Sequence, residues 1–173
     1  MSATEAPFES GASFFMLQLP MTKKRKIYET GKHMQGERRA QDTLVRWCSG
    51  KNAWGNVTAI AMPRLAGFDC ILIEEKKCVV GIVEIKVRGN SSGKFSEYLI
   101  SLRKLLELKA HAAAMNTSGI LLVQFTDCTM LLNVAKVDLS LLKIKEGGRT
   151  DRGDPLDIEP CFLIPMSMFT RID

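Results

Sequence analysis

Three ionisable residues lie at the ends of two apolar runs that are close together in the sequence. Asp69 immediately precedes the run at 70–73, and Glu84 and Lys86 close the run that starts at residue 79. Charged side chains in such surroundings are costly unless an opposite charge or a metal ion compensates them. Carboxylate oxygens are the ligands that Mg²⁺ and Mn²⁺ prefer. Two carboxylates and an ammonium group that converge here would suit one divalent cation with a water beside it.

Whether the three side chains converge depends on how the two runs pair. Both runs are short and rich in β-branched residues, which predicts two strands joined by a charged turn at 74–77. With an even loop length, Asp69 faces Ile82, and Glu84 follows two residues later on the same face as Lys86. An odd loop length or a bulge would place Asp69 and Glu84 on opposite faces. The predicted metal site therefore requires the even register.

One helix is predicted before this hairpin and another after it. Residues 34–48 carry apolar positions at helical spacing, with Glu37 on or near the apolar side. A first short strand is predicted at 56–62, a second helix at 95–115 and a further strand at 120–125.

The predicted order is therefore helix, three strands, helix and strand. Additional β segments are predicted at 130–134 and 161–164, and a strand or a short helix at 137–145. A crossover through the second helix places the following strand parallel to a neighbour. These features predict the α/β class, with a central mixed sheet and the helices on opposite faces or both on one face.

Composition indicates one domain of ordinary globular character. The chain has 173 residues, a net charge of +5 and a sequence pI near 9.0, which suits a polyanionic partner. Five scattered cysteines without a CxxC pair, and only two histidines, argue against a zinc site and favour reduced thiols in the cytoplasm. No run is apolar enough to predict a membrane span or a signal peptide. Residues 1–30 are predicted to be an N-terminal extension with a basic arm at 23–26, and 31–173 a single domain.

The order of elements and the positions of the acids resemble the PD-(D/E)XK nuclease superfamily, whose restriction-endonuclease-like core is α-β-β-β-α-β. Asp69 stands where that family has the aspartate of its PD element, although Phe68 replaces the proline. Residues 84–86 (Glu-Ile-Lys) stand as the (D/E)XK element, and Glu37 matches the glutamate that many members carry on the first helix. Glu-x-Lys occurs four times in the chain, and only this copy closes an apolar strand beside a second acid. The strand position, more than the tripeptide itself, supports the resemblance.

The resemblance implies a Mg²⁺- or Mn²⁺-dependent nuclease. Its catalytic residues would be Glu37, Asp69, Glu84 and Lys86. Asp69, Glu84 and the carbonyl of Ile85 would hold the metal ion, and Glu37 would bind a second ion or orient a water. Lys86 would position the water or stabilise developing charge. The residues expected to contact nucleic acid are the basic arm, two further basic side chains and three polar positions of the second helix: Lys23, Lys24, Arg25, Lys26, Arg88, Lys94, Tyr98, Ser101 and Lys104.

The expected function is an endonuclease specific for branched or junction DNA, in recombination, repair or phage DNA processing. Members of this kind act as homodimers on two-fold substrates, inside the cell and away from membranes. The motif does not distinguish DNA from RNA. The alternative is a nuclease-like accessory protein that binds nucleic acid without a metal or catalysis, with a salt dependence set by Lys and Arg. The intact acid-acid-lysine set argues against that alternative, and nothing specific favours a third, a small interaction protein with a Met-rich surface.

Overall fold

The computed structural model describes residues 31–51, 55–63, 66–148 and 158–173. The expected N-terminal extension and its basic arm lie outside these residues. The elements in chain order are α1 (Gly31–Lys51), β1 (Val57–Ala61), β2 (Cys70–Glu74), β3 (Val79–Val87), β4 (Glu97–Ser101), α2 (Leu102–Ala114), β5 (Ser118–Gln124), β6 (Thr129–Asn133), β7 (Lys143–Gly148), β8 (Ile158–Pro165) and β9 (Thr170–Arg171). Neither helix in the described ranges combines the length and the apolar character that crossing a membrane requires. All five cysteines are free thiols.

The main sheet has six strands in the order β1-β2-β3-β5-β6-β9, and a smaller sheet has the order β4-β8-β7. Strands β3 and β5 pair in parallel, whereas the other neighbours in the main sheet are antiparallel. The crossover between β3 and β5 runs through α2, as the sequence predicts. The α/β class, the α-β-β-β-α-β order of the core and the additional C-terminal β segments are confirmed.

The two helices cover opposite faces of the main sheet. From α1, Ala40 and Leu44 belong to one buried cluster together with Ile85 of β3. From α2, Leu105 belongs to a second buried cluster together with Ile82 of β3. Since successive side chains of a strand point to opposite faces, from Gly81 onward the odd-numbered positions of β3 face α1 and the even-numbered ones face α2. The sequence had left the placement of the helices open, and packing decides it.

The second helix begins later than predicted. Residues 97–101 form β4, in which buried and half-buried side chains alternate, as expected for a strand. The helix starts after Ser101, whose side chain accepts a hydrogen bond from the backbone N–H of Lys104 at 3.4 Å. Ser101 is thus an N-cap, which satisfies a donor that the first turn leaves free. The predicted row of Tyr98, Ser101 and Lys104 along one helix is wrong, because it crosses the boundary between β4 and α2.

The register in which β2 pairs with β3 also differs from the prediction. Ile73 pairs with Val79, so five residues, an odd number, separate the last paired positions of the hairpin. A bulge then follows, because the next pair is Leu72 with Gly81 and one residue of β3 is left over. The expectation of an even loop is therefore wrong. The bulge nevertheless restores the parity, so that Asp69, one residue before β2, comes opposite Glu84 on the face predicted for both.

Candidate active site

The site lies at the N-terminal end of β2, beside the C-terminal half of β3. The Asp69 backbone N–H donates to the Val83 carbonyl at 2.8 Å, and the Ile85 N–H donates to Asp69 Oδ2 at 2.6 Å. The carboxylate of Asp69 thus takes the place of a strand carbonyl in the ladder. Since the N–H and C=O of one strand residue point to the same edge, the Ile85 carbonyl also points toward Asp69.

Glu84 is the most deeply buried charged side chain among the described residues, with 1% of it exposed. Its Oε1 accepts a hydrogen bond from Lys86 Nζ and lies 3.6 Å from Lys104 Nζ. Its Oε2 is shielded from solvent and has no hydrogen-bond partner in the described part of the chain. A carboxylate oxygen left in this state is costly. It therefore offers an unused position for a cation.

The charges of this cluster shift the protonation of its members. Burial, reinforced by the negative charge of Glu84, raises the pKa of Asp69 above its ordinary value. Burial alone would lower the pKa of Lys86, but the carboxylates of Glu84 and Asp69 outweigh it and raise that pKa. Lys86 is therefore an ammonium group throughout the physiological range. This state suits stabilisation of negative charge and does not suit a general base.

Glu37 does not join a three-acid metal group. Within the described ranges, no set of three or more Asp, Glu, His or Cys side chains is arranged to hold a metal ion. Glu37 lies half-buried on α1, which packs against the face of the sheet opposite to Glu84. Its neighbour Gly36 approaches Val87 of β3 so closely that an added Cβ would meet both valine methyl groups at 2.9 Å. Glu37 is thus near the end of β3, on the helix that covers the opposite face of the sheet, and its role beside Asp69 and Glu84 stays a prediction.

Tyr98 is a buried residue and is almost inaccessible to nucleic acid. Its side chain is 5% exposed, and its ring makes edge contacts with Phe125 and Phe169. Burial raises the pKa of its hydroxyl, which has no hydrogen-bond partner among the described residues. The Arg88 guanidinium lies over the ring, 5.1 Å from its centroid. The expected contact between Tyr98 and nucleic acid does not fit this burial, whereas Arg88 lies directly beyond the end of β3.

The loop after β3 carries another exposed basic group. Lys94 Nζ lies 5.3 Å from the centroid of Phe95, whose ring is 60% exposed. The loop is held by Ser92, whose backbone N–H and hydroxyl both donate to the Asp127 carboxylate, at 2.7 and 2.9 Å. Lys94 therefore stays available for a polyanionic partner. The expected basic arm at 23–26 lies outside the described residues.

The sequence did not identify Lys104 as part of the acidic cluster. It was expected to contact nucleic acid, yet its ammonium group pairs with the catalytic candidate Glu84. A signal was present, because Ser101 is a good N-cap and Lys104 follows it by three residues, in the first turn of a helix. The early helix start predicted at residue 95 concealed that signal.

The chemistry of the site follows from its inventory of charges. Asp69 and Glu84 contribute two carboxylates, and Lys86 and Lys104 contribute two ammonium groups, so the cluster is formally neutral. Its candidate ligands are oxygen atoms, from Asp69, the unpartnered Glu84 Oε2 and the Ile85 carbonyl. Oxygen ligands of this kind select hard divalent cations such as Mg²⁺ and Mn²⁺ over softer metals.

Two comparisons with known proteins gave a match. The family model described as "Phage putative PDDEXK endonuclease" matches residues 23–172. Among solved structures, the chain is similar to Hjc of Archaeoglobus fulgidus, a Holliday junction resolvase from an archaeal hyperthermophile. The identity is 17%, the TM-score is 0.48, and the similarity covers 80% of this chain and 92% of Hjc. A comparison with curated proteins gave no match.

Proposed function

This chain belongs to the phage PDDEXK endonuclease family, and on that premise we propose that it hydrolyses phosphodiester bonds in DNA with the help of Mg²⁺ or Mn²⁺. The observation that supports this most directly is the buried Glu84, whose Oε2 lacks a partner in the described residues and lies in a cluster with Asp69 and two lysines. A purely structural ion pair would use both oxygens of so deeply buried a carboxylate.

Asp69, Glu84 and the Ile85 carbonyl would hold the cation. When bound, it would lower the pKa of a water molecule and draw charge from the phosphate. Lys86 is fixed beside Glu84 as an ammonium group and would stabilise the negative charge that develops on the phosphate as the water oxygen attacks phosphorus and the bond to the leaving oxygen breaks. Glu37 would orient a water or assist a second ion from the α1 side.

The finer features of the proposal concern the substrate and the setting. We infer a preference for branched or junction DNA, because the described chain adds only the small sheet β4-β8-β7 to the core and thus has little apparatus for reading a base sequence. A homodimer would suit paired cuts on a two-fold substrate. The five free thiols favour action inside a cell, in recombination, repair or phage DNA processing. Arg88, Lys94 and Lys104 are the described basic residues expected to contact phosphates near the cut.

The test compares the proposed metal ligand with a matched acid. Purified wild type, Glu84→Gln and Glu107→Gln are incubated with labelled four-way junction, duplex and single-stranded DNA, with Mg²⁺ and with EDTA. Glu107 also belongs to a Glu-x-Lys tripeptide, but it is paired with exposed Arg103 on α2 and should be dispensable. We expect cleavage that requires Mg²⁺, is unchanged in Glu107→Gln and is about 100-fold slower or absent in Glu84→Gln.

Two results would contradict the proposal. Cutting by Glu84→Gln at the wild-type rate would remove Glu84 from the site. DNA binding without cleavage in any divalent cation, with a salt dependence but no metal dependence, would favour the accessory protein instead.

A further inference from the structure

Lys104 is the second cation on Glu84, and it comes from a different element than the first. Lys86 stands two residues from Glu84 on β3 and donates a hydrogen bond to Oε1. Lys104 stands in the first turn of α2, with its Nζ 3.6 Å from the same oxygen. One oxygen of the carboxylate thus carries two ammonium groups, while the other, Oε2, is buried without a partner in the described residues.

The contact made by Lys104 is the weaker of the two. At 3.6 Å it exceeds hydrogen-bond distance, so only Coulomb attraction holds it. The Lys104 side chain is 27% exposed, and its four-carbon stem can swing outward without moving the helix. Its backbone stays fixed, because the Ser101 side chain caps the helix at the Lys104 N–H. The first turn of α2 also places the positive end of a helix dipole at this position.

On the basis of the function proposed above, we propose that Lys104 exchanges partners during the reaction cycle. In the metal-free protein it neutralises Glu84. When a divalent cation occupies Glu84, Lys104 leaves that carboxylate and binds a phosphate of the DNA backbone beside the site. The physical reason is the balance of charge, because two carboxylates and two ammonium groups already cancel and a divalent cation adds two positive charges next to Lys104. The negative charge of a DNA phosphate then compensates the freed ammonium group.

This exchange has two consequences of opposite sign. Because Lys104 competes with the metal ion for Glu84, removal of its charge should tighten metal binding in the absence of DNA. Because Lys104 then binds a DNA phosphate, the same change should weaken DNA binding in the presence of a metal ion. A lysine that merely supports the fold would produce neither a gain in metal affinity nor this pairing of effects.

The experiment measures both affinities in Lys104→Met. Binding of Mn²⁺ alone is followed by isothermal titration calorimetry, and binding of a labelled DNA duplex is followed in Ca²⁺ over a series of salt concentrations, with gels to confirm that the DNA stays intact. We expect the Kd for Mn²⁺ to fall about two- to fivefold, the size of one weak ion pair that is partly exposed on its lysine side. We expect the slope of log K against log salt to lose about 0.9, the contribution of one phosphate contact.

Two matched variants serve as controls. Arg103→Met removes an equal charge from the adjacent, exposed residue, whose partner is Glu107, and should leave the Mn²⁺ affinity unchanged. Lys104→Arg keeps the charge and should keep both the Mn²⁺ affinity and the salt slope near wild type. If Lys104→Met folds poorly, Lys104→Gln also removes the charge and should show the same two effects.

The outcomes separate this inference from the proposed function. An unchanged or higher Kd for Mn²⁺ in Lys104→Met, or an unchanged salt slope, would overturn the exchange of partners. Failure of the wild type to bind Mn²⁺, or equal binding by Glu84→Gln, would refute the proposed metal site itself.

Discussion

Asp69 has two separable roles in the structure, and two substitutions can distinguish them. Its Oδ2 accepts a hydrogen bond from the Ile85 N–H at 2.6 Å, which secures the end of β2 against β3. Its negative charge lies beside Glu84, which raises the cost of keeping Asp69 ionised. Asp69→Asn keeps an oxygen of similar position and removes the charge. Asp69→Ala removes the acceptor as well.

The expected change in stability follows from these contacts. A hydrogen bond to a charged acceptor contributes about 2 kcal/mol, and its loss in Asp69→Ala should lower Tm by about 4–8 °C for a chain of this size. In Asp69→Asn the bond to Ile85 remains, and the repulsion with Glu84 disappears. We therefore expect Asp69→Asn to be at least as stable as wild type at pH 7, although both variants should lose cleavage.

The pH dependence of this difference has a defined sign. A carboxyl whose pKa is raised in the folded protein contributes stability that is fully present below its unfolded pKa of about 3.9 and is lost as pH rises through the folded pKa. The stability of wild type relative to Asp69→Asn should thus decrease from pH 4 upward and become constant once Asp69 is ionised in both states. Asp69→Asn has no such group and provides the reference.

Thermal denaturation of the three proteins in EDTA and in Mg²⁺, between pH 4 and 8, measures the stability differences, their pH dependence and the effect of the metal ion. At a metal concentration ten times the Kd, wild type should gain about 1.4 kcal/mol, and neither variant should gain. If Asp69→Asn loses as much stability as Asp69→Ala, the roles assigned to the hydrogen bond and to the charge are wrong. A Mg²⁺-dependent rise in Tm of Asp69→Asn equal to that of wild type would remove Asp69 from the metal site.

Three further predictions concern packing and thiols. Gly36→Ala should lower the free energy of unfolding by about 1–3 kcal/mol and reduce cleavage, because an added Cβ would meet Val87 at 2.9 Å and push the first turns of α1 away from β3. Recovery of stability in Gly36→Ala/Val87→Ala, measured by urea denaturation, would confirm the contact. Gly119→Ala should be destabilising by a similar amount without altering the metal affinity, because the new methyl would lie 2.6 Å from Val134 Cγ2 behind β5; a wild-type Tm would contradict it. A thiol reagent at pH 8 should modify the exposed Cys78 first and the four buried cysteines only on unfolding. Burial raises the pKa of three of these four, to about 11 for Cys48 and about 12 for Cys70. Rapid modification of more than one thiol in the native protein would refute this.

The elements of the core could be predicted from local pattern alone. The apolar runs around Asp69 and Glu84 and the helical spacing of 34–48 are short-range features, and the observed helix and strands lie within a few residues of the predictions. The crossover rule then required β5 to run parallel to a neighbour. The candidate acids and Lys86 were identified because charge at the end of an apolar strand demands compensation wherever it occurs.

Packing between distant segments decided the rest. Residues 97–101 have apolar positions compatible with a helix, but they pair with 161–165 of β8, about 60 residues later, so they form a strand. This pairing moved the start of α2 to Ser101 and brought Lys104 onto Glu84. No local pattern contains the partner strand, and for that reason the sequence could not reveal the second cation of the site.

The face shared by Asp69 and Glu84 shows the same division. The sequence by itself determined that two acids and a lysine stand at the ends of adjacent strands, because strand propensity and apolar pattern are properties of each segment. It did not determine how the strands slide against each other, because an odd loop and a bulge each reverse the parity and both are set by the cores on either side of the sheet. Only the tertiary structure combines the two, and their combination places Asp69 opposite Glu84.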